Sequence, residues 1–113
     1  MINVYHNGAC SKSNGALELL QAKGIPHEVR WYLMEPLSVE ELSALLIKLG
    51  MQPSQLVRKG EPIYKERYEG KSVTENEWLQ ILADNPTLIE RPIIENGGQA
   101  IIARPPERVL EMT

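Results

Sequence analysis

Apolar and polar positions along this chain switch between a period of two and helical spacing, and turn residues mark the changes. Residues 2–5 read as a strand, Asn7 and Gly8 as turn residues, and residues 13–23 as a helix. On that helix Ala16, Leu19 and Leu20 share one face, with Lys23 at its polar end. Gly24-Ile25-Pro26 stops it, because glycine suits the position after a last turn and proline cannot continue one. Residues 27–33 alternate as a second strand, with Val29 and Trp31 expected on one side. Strand, helix and strand in so short a span predict a parallel pair joined by a right-handed crossover.

Ser38-Val39-Glu40-Glu41 is a capping box, and Leu42, Leu45, Leu46 and Leu49 follow at helical spacing before Gly50 closes the helix. Residues 54–58 predict a short helical turn. Thr74-Glu75-Asn76-Glu77 is a second capping box, opening a helix with Trp78, Ile81 and Leu82 inward. After Arg91-Pro92, Ile93-Ile94-Glu95 and Ala100-Ile101-Ile102 flank Asn96-Gly97-Gly98, a strong hairpin signal. Pro105-Pro106 starts a last helix over 107–112, where proline is tolerated in the first turn. No repeat, low-complexity segment or linker interrupts the chain.

The order is therefore β-α-β, a mainly helical middle, then β-β-α. This resembles the thioredoxin-like layout, an α/β fold with a four-stranded mixed sheet, here one domain over 1–113 with a helical insertion at roughly 37–88. In that layout a reactive thiol sits at the first strand-to-helix junction, and a proline before the third strand faces it. Pro92 occupies that place, and its bond to Arg91 is a candidate for the cis form.

Composition narrows the chemistry. A chain of 113 residues can bury a core without disulfides or metal. The formal charge of −3 argues against nucleic acid as a partner, which would need concentrated Lys and Arg. No apolar run has membrane-spanning length and no signal-peptide pattern is present, so neither membrane association nor export is expected. A single cysteine excludes an internal disulfide and, with these features, points to the cytoplasm. No exposed apolar stripe demands a partner, so a monomer is the default. Phenylalanine is absent, which leaves Leu and Ile to build most of the core.

That cysteine, Cys10, stands in Tyr5-His6-Asn7-Gly8-Ala9-Cys10-Ser11-Lys12-Ser13, where a strand gives way to a helix. A lone cytosolic cysteine is more often a small buried hydrophobe than a nucleophile. At a helix start, however, the backbone N–H groups and the dipole favour the thiolate, which is the reactive form. Ser13 can cap the helix, hydrogen-bond the Cys10 sulfur, or both. His6 can lower the thiol pKa if protonated or orient the thiol if neutral. His27, Arg30, Arg67 and Arg108 read as surface residues, and Lys12 and Lys59 as solvated charges that could add positive potential. Several other sites fail on spacing. A low-molecular-weight phosphatase loop needs Arg six residues after the cysteine, where Ala16 stands. No Walker loop or dinucleotide fingerprint occurs, and one Cys with two separated His makes no metal site.

Four segments, in order, resemble the glutaredoxin-linked, ArsC-type arsenate reductases: Tyr5-His6-Asn7-x-x-Cys10; Leu56-Val57-Arg58-Lys59 with Glu61-Pro62 and Tyr64; Leu88-Ile89-Glu90-Arg91-Pro92-Ile93; and Arg104-Pro105-Pro106. The resemblance implies that Cys10 attacks arsenate while Arg58, Arg91 and Arg104 hold the oxyanion, with His6 close to the cysteine. Guanidinium is planar, permanently charged and bidentate, which suits a tetrahedral anion. The chain has no second cysteine to resolve the adduct. The resemblance therefore implies external glutathione followed by glutaredoxin, with no bound cofactor and no metal. Two departures stand out: the family usually has proline where this chain has Gly8, and residues 67–73 look shorter than usual. Relatives without arsenate activity include glutathione-handling thiol enzymes, whose reading stays open. Others are redox-linked regulators that bind RNA polymerase, and these usually carry Cys-x-x-Cys where Ser13 stands here.

Overall fold

The computed structural model describes residues 1–8 and 10–113 and divides them into two compact units. The first comprises Met1–Glu35 and Arg91–Thr113; the second is Pro36–Glu90.

The first unit is built on a sheet of β1 (Ile2–His6), β2 (His27–Trp31), β3 (Ile93–Asn96) and β4 (Gln99–Ile102), in the order β2-β1-β3-β4. β1 pairs with β2 in parallel and with β3 in antiparallel, and β3 pairs with β4 in antiparallel. Helix α1 (Ser11–Ala22) makes the crossover from β1 to β2. It starts two residues earlier than its apolar pattern alone predicts, because its first turn is polar. The alternation of β1 sends Ile2, Val4 and His6 to the buried face, where Ile2 and Val4 join Ala16, Leu20, Ile94, Ala103, Val109 and Met112 in one core cluster. The hairpin closes on Gly97-Gly98, with Gly97 at φ +62°, a backbone that side chains resist.

Two expectations in this unit need correction. Residues 106–112 form a 3₁₀ helix, Pro106–Met112, not an α-helix. A segment this short behind two prolines gains too few long-range helical bonds to favour the wider winding. Strand β2, expected to run to residue 33, stops at Trp31, which is 47% exposed, and Tyr32 just beyond it is buried. β2 is an edge strand and ends at Trp31, so its alternation does not carry the in–out assignment past that residue.

In the second unit lie α2 (Val39–Leu49), α3 (Pro62–Arg67) and α4 (Glu75–Asp84), with 3₁₀ turns at Pro53–Leu56 and Pro86–Leu88. Both capping boxes are formed: the Ser38 hydroxyl accepts from the Glu41 N–H at 3.1 Å, and the Thr74 hydroxyl from the Glu77 N–H at 3.2 Å. The Glu41 and Glu77 carboxylates answer to the N–H of Ser38 and of Thr74. Gly50 ends α2 in the left-handed region at φ +67°. Leu42, Leu45, Leu46, Leu56, Leu82 and Leu88 are buried, so leucine does supply this interior. Tyr64 and Tyr68 pack on Trp78, with ring centroids 6.2 and 5.3 Å away. Helix α3 went unforeseen: proline at its first position is the one start signal, and none of its residues is buried to give an apolar period.

Among the described residues no helix is long and apolar enough to cross a membrane.

Candidate active site

β1 ends at His6, the Asn7–Gly8 turn follows, and Cys10 is the residue that caps α1. The Cys10 N–H donates to the Asn7 carbonyl at 3.0 Å, and the Asn14 side-chain amide donates to the Gly8 carbonyl at 3.0 Å. These two bonds tie the turn to the first helical turn.

Cys10 is 8% exposed. Burial alone pushes its thiol up. The Ser13 N–H, the Arg91 side chain, the Lys12 N–H and the Arg91 charge all act against burial, and together they bring the pKa below the ordinary thiol value. Sγ makes no cap bond of conventional geometry, as expected of a large, soft acceptor, yet the helix-start N–H groups lie against it and favour its anion.

Arg91, 9% exposed, precedes Pro92 across a cis peptide bond at the foot of β3. Arg104 follows β4 at the other end of the hairpin, and its guanidinium donates to the Arg91 carbonyl at 3.2 Å. The structure thus brings Arg91 to the thiol and Arg104 to Arg91. Arg58 belongs to the second unit. Its N–H donates to the Leu88 carbonyl at 2.7 Å beside the Val57–Ile89 bridge, and its guanidinium lies 3.4 Å from both Glu61 and Glu90. Those carboxylates share its charge.

Ser13 does not bind the sulfur through its hydroxyl, nor does that hydroxyl cap α1. It accepts the Asn7 N–H at 3.1 Å and lies 2.6 Å from His6 Nδ1, while its backbone N–H serves the thiol. The hydroxyl thus bridges the Asn7 N–H and the imidazole, and which of Oγ and Nδ1 donates follows from the ring's tautomer. Burial lowers the His6 pKa, so the imidazole is neutral at neutral pH. A protonated His6 tuning the thiol by its charge is not the arrangement found. The ring orients Ser13 and, through it, the turn. Local sequence could not reveal this pairing, which joins the end of a strand to the first turn of a helix across seven residues.

The remaining polar candidates are placed elsewhere. Arg108 pairs with Glu111 and the Ile102 carbonyl, and His27 Nδ1 with the Ile25 carbonyl. No three His, Cys, Asp or Glu among the described residues converge as metal ligands.

A four-stranded mixed sheet with a charge-stabilised thiol at its first strand-to-helix junction defines a thioredoxin-like protein. The chain belongs to the ArsC family, whose model matches residues 5–112. It is 40% identical over 111 residues to the arsenate reductase of Haemophilus influenzae, covering 96% of each chain. It is 43% identical over 113 residues to the uncharacterized protein YfgD of Escherichia coli K12, covering 98% of this chain and 95% of that one. Among solved structures, the arsenate reductase from Vibrio cholerae matches with a TM-score of 0.92 and 42% identity, over 99% of this chain and 97% of that one.

Proposed function

We propose that this chain reduces arsenate to arsenite through Cys10 and thiols supplied from outside. The observation that carries the reading is the Arg91 guanidinium set against a thiol whose pKa is lowered, in a chain similar to proteins named arsenate reductase. Arg91 and Arg104 hold the oxyanion from the two ends of the hairpin. Arg58 joins them on the strength of its motif, Leu56-Val57-Arg58-Lys59.

The Cys10 thiolate attacks arsenic, an S–As bond forms, and one arsenate oxygen leaves as water. Arsenic is still pentavalent at that stage. Two electrons then come from two external thiols, glutathione followed by glutaredoxin, which leave joined as a disulfide. Hydrolysis of the S–As bond releases arsenite and returns the Cys10 thiol. The sole cysteine is committed to arsenic, so the chain has no thiol of its own for the electron-giving step. The neutral His6 and Ser13 keep the turn in place, and no resident metal or organic cofactor enters the scheme.

Arsenite production from arsenate, glutathione and glutaredoxin tests the reading directly. Wild type should turn over, and Cys10→Ser should lose all turnover while remaining folded. A wild-type protein that alkylates readily at Cys10 yet makes no arsenite would sink the arsenate assignment and leave a glutathione-handling thiol enzyme.

A further inference from the structure

Trp31, at the end of the edge strand β2, packs its indole on the turn that leads to Cys10. Gly8 does not sit in the left-handed region, so its backbone is open to any residue; the obstacle to a side chain there is steric. A Cβ on Gly8 would lie 3.1 Å from Trp31 Cζ3, 3.8 Å from its Cη2 and 3.9 Å from His6 Nε2. The indole also packs edge to face on the His6 ring, with centroids 4.6 Å apart and planes at 79°. One aromatic ring therefore covers both the glycine and the histidine of the turn.

From His6 the contact continues inward. Nδ1 meets Ser13 Oγ, Ser13 Oγ receives the Asn7 N–H, and the Asn7 carbonyl receives the Cys10 N–H. Every link lies in the first unit, and the last one sets where the sulfur stands relative to the N–H groups of Lys12 and Ser13.

We propose that Trp31 is a positioning residue for the Cys10 thiol, with Gly8 kept bare so that the indole can seat on the turn. Glycine leaves the backbone of the turn free in itself, and the indole packs against it from outside. Trp31 acts on the thiol through His6 and the turn. The proposal rests on Cys10 being the reacting group, and its test reads thiol chemistry without arsenate, so it fails separately from the arsenate assignment.

The experiment is the rate of Cys10 alkylation by iodoacetamide as a function of pH in five proteins: wild type, Trp31→Ala, Trp31→Phe, Gly8→Ala and Gly8→Ala/Trp31→Leu. Trp31→Ala should raise the alkylation midpoint by about half a unit to one unit, slowing the reaction near neutral pH about threefold to tenfold. Trp31→Phe should stay near wild type, since an aromatic ring still covers the turn. Gly8→Ala should raise the midpoint slightly, because a methyl 3.1 Å from Trp31 Cζ3 makes the indole give way. Shrinking the indole to Leu in the double variant should return the midpoint toward wild type, a rescue that a residue serving only general stability would not give. Trp31 is half exposed, so Trp31→Ala should fold, and circular dichroism of each variant checks that it has. A Trp31→Ala midpoint equal to wild type overturns the proposal, as does a double variant no better than Gly8→Ala. If Trp31→Ala fails to fold, Gly8→Ala and its rescue decide alone.

Discussion

Helix α1 and helix α4 begin in opposite ways. At α4 a Thr74 hydroxyl and a Glu77 carboxylate satisfy each other's backbone N–H groups within four residues of sequence. The Thr74 N–H and hydroxyl in turn hold the Glu77 carboxyl below its ordinary value. Helix α1 has no such cap: Cys10 stands at its start, and the N–H groups of Lys12 and Ser13 are spent on a sulfur. The same contrast runs through the two units. His6, Asn7, Ser13 and Arg91, the buried polar residues among those described, all belong to the first unit, whereas the second is filled by leucines. A helix that only needs to be stable closes its own end with local residues. A helix that activates a thiol leaves its N–H groups for the sulfur, and stability there must come from packing and from partners distant in sequence.

That contrast can be broken from either side. The largest effect is expected in the leucine interior: Leu82→Ala removes a fully buried side chain and should lower unfolding free energy by about 2–5 kcal/mol in urea titration. The Cys10 alkylation midpoint should stay where it was, and a midpoint that moved with it would mean the two helix starts are not separately built. Arg91→Gln addresses the other side. It removes the charge beside the thiol and should raise the midpoint by about one unit, roughly a tenfold slower reaction at neutral pH. An unchanged midpoint would assign the activation to the helix start alone. Thr74→Ala, which takes away one ordinary cap, should cost about 1 kcal/mol of stability and nothing in thiol reactivity.

The smallest effect is the pH dependence of stability on the acid side. His6 has its folded pKa lowered, so the unfolded chain binds the proton more readily. Stability from this residue is intact above the unfolded histidine value, about 6.5, and falls as pH drops below it toward the folded pKa. Thermal melts at pH 7 and pH 5 should show the loss, and His6→Gln should reduce it. Cys10 has its folded pKa lowered too, but as an acid: its contribution is complete above the unfolded thiol value and is lost as pH falls through the folded one.

These differences explain what could be read before the fold was known. Ser38 and Thr74 announce helix starts because a capping box is written in four consecutive residues. The β3–β4 hairpin was readable because Gly97-Gly98 is turn chemistry of the same local kind, and the cysteine because of its place after a strand. The end of β2 at Trp31 was not legible because the alternation of an edge strand does not mark where its pairing stops. Helix α3 was invisible because none of its residues is fully buried to mark an apolar face. The Ser13–His6 pair depends on how the chain turns from β1 into α1, and the seating of Trp31 on Gly8 on β2 lying beside β1, neither of which local periodicity contains.

The hairpin works as a caliper. Arg91 and Arg104 stand at its open end, joined by the bond from the Arg104 guanidinium to the Arg91 carbonyl, and the span between them is fixed by strand pairing that begins at Gly97-Gly98. One extra residue in that distant turn would shift β4 by one pleat, face its side chains the other way and carry the second guanidinium off its mark. The spacing of the two arginines is thus calibrated at the opposite tip of the ribbon, by residues that never meet them.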